Sequence, residues 1–250
     1  AADAMGKFHN LRCELLSSTN LIMRKKLNWL LVFAPIAIMA HASLNNDFEG
    51  NINDSLVWVY DRAIETAALT HGHPTGQIAA AAFALILFAV LCGKTVMAAT
   101  ELALELIEQK EFHEETSQLL KRAITESKNT LESHIAIEKL GQGWIAEEAL
   151  AIAVYCALKA KSIEQGILMA VNITGDSDST GSMAGQLLGA YFGFEAIPHR
   201  FLAHLELESL LEQITKDWLF VYFYKHGIFE PQKRNEIIMD LANRYAVVEI

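Results

Sequence analysis

Apolar residues recur at helical spacing along most of the chain, and this periodicity limits the folds it can adopt. The predicted helices span residues 55–70, 74–91, 98–112, 115–140, 145–159, 162–171, 180–192, 205–224 and 231–245. No pair of alternating β-branched runs is joined by an Asn-Gly or Asp-Gly turn, which is the usual signal for a hairpin. The sequence therefore predicts an all-α fold with a buried centre.

Length and composition predict one domain. The chain has 250 residues, of which 52% are hydrophobic, and this is enough to bury a sizeable core. Only 4 prolines and 14 glycines occur, and no Ser-rich or Pro-rich stretch interrupts the apolar pattern. We therefore expect a single domain over residues 1–250, with the charged stretch 108–139 as a long solvent-facing helical region.

The charge of the chain bears on its partners. A formal net charge of -10 argues against nucleic-acid binding, which needs clustered cations. The only short basic run that stands out is Arg24-Lys25-Lys26, which is typical of a solvated face. We therefore expect no nucleic-acid partner.

Two apolar runs, residues 29–40 and 78–92, resemble short membrane segments. Both fall short of the roughly 18 to 20 residues that a bilayer core requires, so we predict that both are core helices and that the chain does not bind a membrane. The three cysteines, Cys13, Cys92 and Cys156, are far apart. We expect them to be reduced, which is typical of a cytoplasmic protein.

The segment from Gly175 to Gly185 contains the strongest chemical signal. Asp176 and Asp178 lie two residues apart, so their oxygens can converge in a turn. Oxygen donors of this kind suit magnesium, manganese or calcium better than zinc. The neighbouring Ser179 and Thr180 are also typical helix caps. A stripe at Gly181, Gly185 and Gly189 predicts close helix packing or close approach of a ligand.

Two other families have similar aspartate loops. An EF-hand needs a bidentate glutamate at position twelve, where this chain has Leu187, so that interpretation is excluded. A phosphatase of the haloacid dehalogenase type would use Asp176 as nucleophile and Asp178 as acid/base. That chemistry needs a preceding buried strand and a parallel sheet, which residues 172–175 predict poorly. It stays a remote alternative.

Several short phrases occur in a defined order along the chain. They are Ala34-Pro35-Ile36-Ala37, Thr70-His71-Gly72-His73-Pro74, Gly143-Trp144-Ile145-Ala146-Glu147-Glu148-Ala149-Leu150, Ala170-Val171-Asn172, the run from Gly175 to Gly185, Leu188-Gly189-Ala190 and Ile197-Pro198. Together they resemble the ADP-ribosylglycohydrolase family, which includes the glycohydrolase that reactivates dinitrogenase reductase. The resemblance covers roughly residues 30–215.

The resemblance implies a compact, orthogonal multi-helix domain with two Mg²⁺ ions, or Mn²⁺ in some members, in a central cleft. The implied reaction hydrolyses the glycosidic bond between ADP-ribose and an acceptor, either a protein side chain or part of a small ADP-ribosyl compound. Asp176 and Asp178 would bind metal through their carboxylates and Ser179 through its hydroxyl. His71 would line the ribose side of the pocket. No catalytic residue is assigned.

The resemblance also implies a second group of metal ligands, which family members carry in an N-terminal Thr-Asp-Asp phrase. This chain contains no Asp-Asp pair, so residues 1–30 are expected to be an atypical or truncated N-terminal part and the ligands for one ion are retained. Two hypotheses follow. The chain is a metal-dependent ADP-ribosyl hydrolase, or it is a catalytically inactive relative that binds ADP-ribose or metal or serves a structural role.

Overall fold

The computed structural model describes residues 52–203, 205–225, 236, 239–241 and 244. Of these, residues 52–203 and 205 belong to one compact unit, and the residues from 206 onward belong to a second. The prediction of a single domain stays a prediction. The basic run at residues 24–26, the apolar run 29–40, Cys13 and the phrase that contains Pro35 lie outside the described residues.

The first unit is built from helices. They are α1 (Ile52–Ala68), α2 (Pro74–Leu91), α3 (Val96–Ile107), α4 (Glu114–Lys128), α5 (Ser133–Glu138), α6 (Ala146–Lys159), α7 (Ile163–Val171), α8 (Ser177–Phe192), a 3-10 turn (Phe194–Ala196) and α9 (His199–Leu202). The second unit contains α10 (Glu208–Lys225). None of the described residues lies in a strand. The predicted all-α fold is therefore confirmed.

Helix α2 is one of two helices at the centre of the first unit. It begins at Pro74, which suits a first helical position because its missing N–H would have had no partner there. Every residue from 78 to 90 is buried, and α2 packs against α1, α3, α6 and α8. A helix that is apolar on all sides needs neighbours on all sides, and four consecutive alanines at positions 79–82 allow them to approach closely.

The same apolar character makes α2 resemble a membrane span. Among the described helices it alone meets the length and composition of one, but 78% of the segment is buried inside the protein. The core helix of a folded domain meets these criteria equally well, so they are weak evidence for a span. The predicted core position of the run 78–92 agrees with this burial.

Helix α6 is the second central helix. Residues 149–157 are buried, and the helix packs against α2, α3, α4, α7 and α8. Cys156 lies in this buried stretch as a free thiol, and burial raises its pKa to about 12. Cys92, at the end of α2, is also a free thiol. Both agree with the prediction of reduced cysteines.

The predicted continuous helix over residues 115–140 is wrong, because the chain breaks between α4 and α5. Asn129 is extended, with φ -75° and ψ 157°. The Lys159 ammonium donates hydrogen bonds to the carbonyl oxygens of Ser127 (3.3 Å) and Asn129 (2.6 Å). These carbonyl groups therefore bind a side chain of α6 instead of continuing a helix, a tertiary contact that periodicity does not report.

A buried carboxylate holds the two helices on either side of the break together. Glu126 is 8% exposed, and its carboxylate accepts hydrogen bonds from Asn129 Nδ2 (3.1 Å) and from Lys139 Nζ (3.1 and 3.2 Å). The hydrogen bonds from Asn129 and then Lys139 lower the pKa of Glu126 despite the opposing effect of its burial. The ionised carboxylate is thus the form that stabilises the turn.

Substituting Glu126→Gln is expected to lower the free energy of unfolding at neutral pH and to have little effect in acid. A carboxyl group whose pKa is lowered on folding stabilises the protein above the pKa of the unfolded state, and that stabilisation is lost as pH falls through the folded-state pKa. Urea unfolding of both proteins at neutral pH and at a pH below the folded-state pKa, which itself lies below the unfolded value of about 4.3, measures this. Glu101→Gln, at an exposed position of α3, is the control. Equal destabilisation at both pH values would contradict the ionic role.

Candidate functional site

The aspartate turn lies at the start of α8, and the helix begins earlier than predicted. The sequence predicted a helical start at residue 180, whereas α8 begins at Ser177 with Asp176 as the N-cap residue. Ser179 and Thr180 therefore lie inside the helix, and the interpretation of either as its cap is wrong. Asp178 lies in the first turn, where the positive end of the helix dipole stabilises a carboxylate.

The structure brings together the three predicted metal ligands. The Ser179 hydroxyl donates a hydrogen bond of 2.5 Å to Asp176 Oδ2. Burial raises the pKa of Asp176, a hydrogen bond with Asp178 and the charge of Asp178 raise it further, and hydrogen bonds from Ser179 oppose the rise. Two carboxyl groups close enough to interact in this way are the arrangement that a bound cation would stabilise.

Thr180 anchors the aspartate turn to the end of α7. This residue is fully buried, and its hydroxyl donates to the carbonyl oxygens of Ala170 (2.7 Å) and Asp176 (3.1 Å). Its backbone N–H also donates to the Asp176 carbonyl oxygen, at 3.2 Å. Thr180 is thus a structural anchor that ties the end of α7 to the start of α8.

A second chain segment supports the turn from the side. The Asp176 N–H donates to the carbonyl oxygen of Gln142 at 2.8 Å. A Cβ atom added to Gly175 would lie 1.7 Å from that same oxygen, and one added to Gly143 would lie 3.0 Å from Thr180 Cγ2. Glycine is therefore required at residue 175 by the close approach of the Gln142 backbone.

Glu147 and Glu148 lie in the first turn of α6, as predicted, but their environments differ. Glu148 Oε2 accepts hydrogen bonds from the N–H groups of Gln142 (3.0 Å) and Gly143 (3.1 Å). Glutamates at a helix start are most simply charges that favour the helix dipole, and the sequence did not predict this contact. The two glycines at 141 and 143, which flank Gln142, are the signal that could have suggested it.

Glu147 faces a cavity of about 450 Å³ that is lined by Glu115, Gln118, Leu119, Arg122 and Glu147. Glu147 is 8% exposed. Burial raises the pKa of Glu147, and the charges of Glu115 and Glu148 act in the same direction. The described residues that line this cavity do not include Asp176, Asp178 or Ser179.

The predicted ribose-binding residue, His71, lies in the turn between α1 and α2. The Thr70 hydroxyl and His71 Nδ1 are 2.8 Å apart, and Gln77 Nε2 donates to the His71 carbonyl oxygen at 2.8 Å. Burial lowers the pKa of His71, which favours the neutral imidazole. Helix α2, which begins three residues later, packs against α8. The role of His71 in binding stays a prediction.

The glycine stripe of α8 has two kinds of environment. A Cβ atom on Gly181 would lie 2.5 Å from Val171 Cγ1, so close packing explains this glycine. At Gly185 and Gly189, no described atom outside the adjoining backbone of α8 lies within 4 Å of such a Cβ. Close packing within the described part of the first unit therefore explains the first glycine of the stripe and not the other two.

The donor set fits one hard cation in part. Asp176, Asp178 and Ser179 offer oxygen atoms alone, and Mg²⁺ is commonly held by one or two carboxylates while it keeps several waters. Within the described residues, no cluster of three or more His, Cys, Asp or Glu side chains could hold a metal ion. The described residues therefore fit a single water-rich site and do not provide the carboxylates for a second ion.

A family model for ADP-ribosylglycohydrolases matches residues 12–228. This chain belongs to the ADP-ribosylglycohydrolase family. The match includes the aspartate turn, the 141–148 segment and the His71 turn, and it confirms the family that the ordered phrases predicted. The absence of strands from the described residues removes the phosphatase alternative, which needs a parallel sheet.

Individual relatives match over shorter stretches. An uncharacterised protein of Archaeoglobus fulgidus is 28% identical over 185 residues, which are 73% of this chain and 54% of that protein. The ADP-ribosylhydrolase ARH3 of Mus musculus is 30% identical over 73 residues, which are 25% of this chain and 20% of that protein. The human ARH3 is 29% identical over 73 residues. The chain thus spans about half the length of the first of these relatives and less of the others.

Proposed function

We propose that this chain takes part in metal-dependent hydrolysis of the glycosidic bond that links ADP-ribose to an acceptor. The observation that carries the proposal is the turn in which Asp176, Asp178 and Ser179 bring oxygen atoms together at the start of α8. Family membership supports glycohydrolase chemistry in general. The metal, the acceptor and the activity of this chain are the parts that we propose.

The proposed reaction adds water across one bond. The anomeric carbon of the ribose gains the hydroxyl group of the water, and the nitrogen or oxygen of the acceptor gains its proton. A bound Mg²⁺ or Mn²⁺ ion would orient the ribose hydroxyls and the water and stabilise charge near the anomeric carbon. Asp176, Asp178 and Ser179 would hold that ion on the helix start.

The residues around the turn would fix its geometry. Thr180 holds the Asp176 carbonyl group, and Gln142 holds the Asp176 N–H. Burial lowers the pKa of His71 and so favours its neutral form, which could exchange hydrogen bonds with a ribose hydroxyl without placing a positive charge beside the cation. We propose an ADP-ribosylated protein or an ADP-ribose-containing small molecule as the substrate.

A second candidate function is a catalytically inactive relative that binds ADP-ribose or metal, or that has a structural role. The observation that favours it is the lack, within the described residues, of any cluster of three or more metal-binding side chains. The absence of an Asp-Asp pair from the chain agrees with it. The two functions share the fold and differ in whether bound metal leads to cleavage.

Titration calorimetry of the chain with Mn²⁺ and with Mg²⁺, with and without ADP-ribose, tests the proposal. Metal binding that ADP-ribose tightens is expected, because the ribose hydroxyls would contact the bound ion. Release of ADP-ribose from ADP-ribosyl-arginine or ADP-ribosyl-serine peptides then separates the hydrolase from the inactive relative. Binding without release would favour the inactive binding protein, and the absence of binding of either ligand would leave the structural role.

A further inference from the structure

We propose that Glu148 is a positioning residue for the aspartate turn and acts through the 141–143 loop. The loop, residues 141–143, connects the start of α6 to the start of α8 through hydrogen bonds at both of its sides. The proposal deepens the proposed function, because it assigns a role to a residue that is not itself a ligand. The claim that Glu148 positions the turn can be tested on the metal-free protein.

The first side of the loop is held by the Glu148 carboxylate. One oxygen, Oε2, accepts from two successive N–H groups, those of Gln142 at 3.0 Å and Gly143 at 3.1 Å. Without this carboxylate, both N–H groups would lose their acceptor.

The backbone of the loop is shaped around that carboxylate. Gly141 has φ +119° and Gly143 has φ +78°, values that side-chain-bearing residues rarely adopt. A Cβ atom on Gly141 would lie 2.3 Å from Glu148 Cδ. The space for the carboxylate therefore exists because residue 141 has no side chain.

The opposite side of the loop is in direct contact with the aspartate turn. The Gln142 carbonyl oxygen accepts the Asp176 N–H at 2.8 Å, and it lies 1.7 Å from the place that a Cβ atom of Gly175 would take. Gly143 lies against the same turn, since its Cβ would be 3.6 Å from the Asp176 carbonyl oxygen. The Gln142–Gly143 peptide group thus donates its N–H to Glu148 and accepts the Asp176 N–H with its carbonyl oxygen.

This arrangement predicts that the length of the side chain at position 148 matters more for holding the loop than its charge does. Glutamine has the same length as glutamate, and its carbonyl oxygen can accept from both N–H groups. Aspartate keeps the charge near the positive end of α6 but is one methylene shorter. A role in the helix dipole alone would therefore favour Glu148→Asp, and a positioning role favours Glu148→Gln.

The experiment compares Glu148→Gln, Glu148→Asp and a control, Glu101→Ala, at an exposed position of α3. Calorimetry gives the Mn²⁺ dissociation constant, and hydrogen exchange of the metal-free protein gives the exchange rate of the Asp176 N–H, which reports how often the turn opens. We expect Glu148→Asp to weaken Mn²⁺ binding about tenfold, the lower end of the effect of losing an outer-shell partner. We expect it to speed Asp176 exchange, and Glu148→Gln and the control to stay within about threefold of the parent chain in both.

The two measurements separate this inference from the proposed function. If the parent chain binds no Mn²⁺, the metal site fails and exchange alone decides: faster exchange of the Asp176 N–H in Glu148→Asp upholds the positioning role. Unchanged exchange in that variant overturns it, whether or not metal binds. So does a Glu148→Gln variant that is affected as much as Glu148→Asp or more.

Discussion

Replacing Gly175 by alanine is expected to cost about 3 kcal/mol of unfolding free energy, the upper end of overpacking effects. The added Cβ atom would lie 1.7 Å from the carbonyl oxygen of Gln142, so the backbone of one segment has to move. For a chain of this size, that loss corresponds to a fall of about 6 to 12 °C in melting temperature. Thermal and urea unfolding of the metal-free protein measure it.

Gly185→Ala is the matched control for that substitution. Gly185 lies inside α8, and no described atom outside the adjoining backbone of that helix is within 4 Å of its added Cβ. Alanine in a helix interior is more favourable than glycine by roughly 0.5 to 1 kcal/mol, so the control is expected to be slightly stabilised. If Gly175→Ala melted as high as Gly185→Ala, the Gln142 backbone would not lie against residue 175.

Substituting Asp176→Asn is expected to remove the stabilisation that Mn²⁺ or Mg²⁺ gives to the folded chain. A ligand at a hundred times its dissociation constant stabilises the folded state by about 2.7 kcal/mol, which is roughly 5 to 10 °C in melting temperature for a chain of this size. The amide of asparagine keeps the shape of the side chain but loses the charge that binds the cation. Melting curves with and without metal measure the difference.

The Asp176→Asn experiment has a control in Asp61→Asn, which lies at an exposed position of α1. That variant is expected to keep the full metal response. In the metal-free protein, Asp176→Asn removes the repulsion between the carboxyl groups of Asp176 and Asp178. The substitution by itself should therefore not destabilise the fold. A metal-induced rise in melting temperature that survives in Asp176→Asn would show that the ion binds elsewhere.

Periodicity predicted the helices well where packing and local sequence agree. Residues 74–91 were predicted as a helix and form α2 with the same bounds, because proline begins it and apolar residues fill it. The 115–140 prediction failed because Lys159 and Glu126, which belong to different helices, bind groups around the break. Contacts between distant residues have no period in the sequence.

The candidate site shows the same division. The spacing of Asp176 and Asp178 and the order of the family phrases were visible in the sequence, because they depend on neighbours along the chain. The start of α8 at Ser177 was missed, although aspartate is a common N-cap residue. The position of His71 relative to the aspartate turn depends on how α2 packs against α8. Residue spacing in the sequence does not predict that packing.

By itself, the sequence determined the all-α class, the family and the oxygen donors at Asp176, Asp178 and Ser179. Each of these depends on residue type and on spacing within one segment. Only the tertiary structure decided that residue 175 must be glycine and which groups Glu148 binds. The physical reason is that both depend on a backbone group at Gln142, more than thirty residues from the aspartate turn, which folding alone brings beside it.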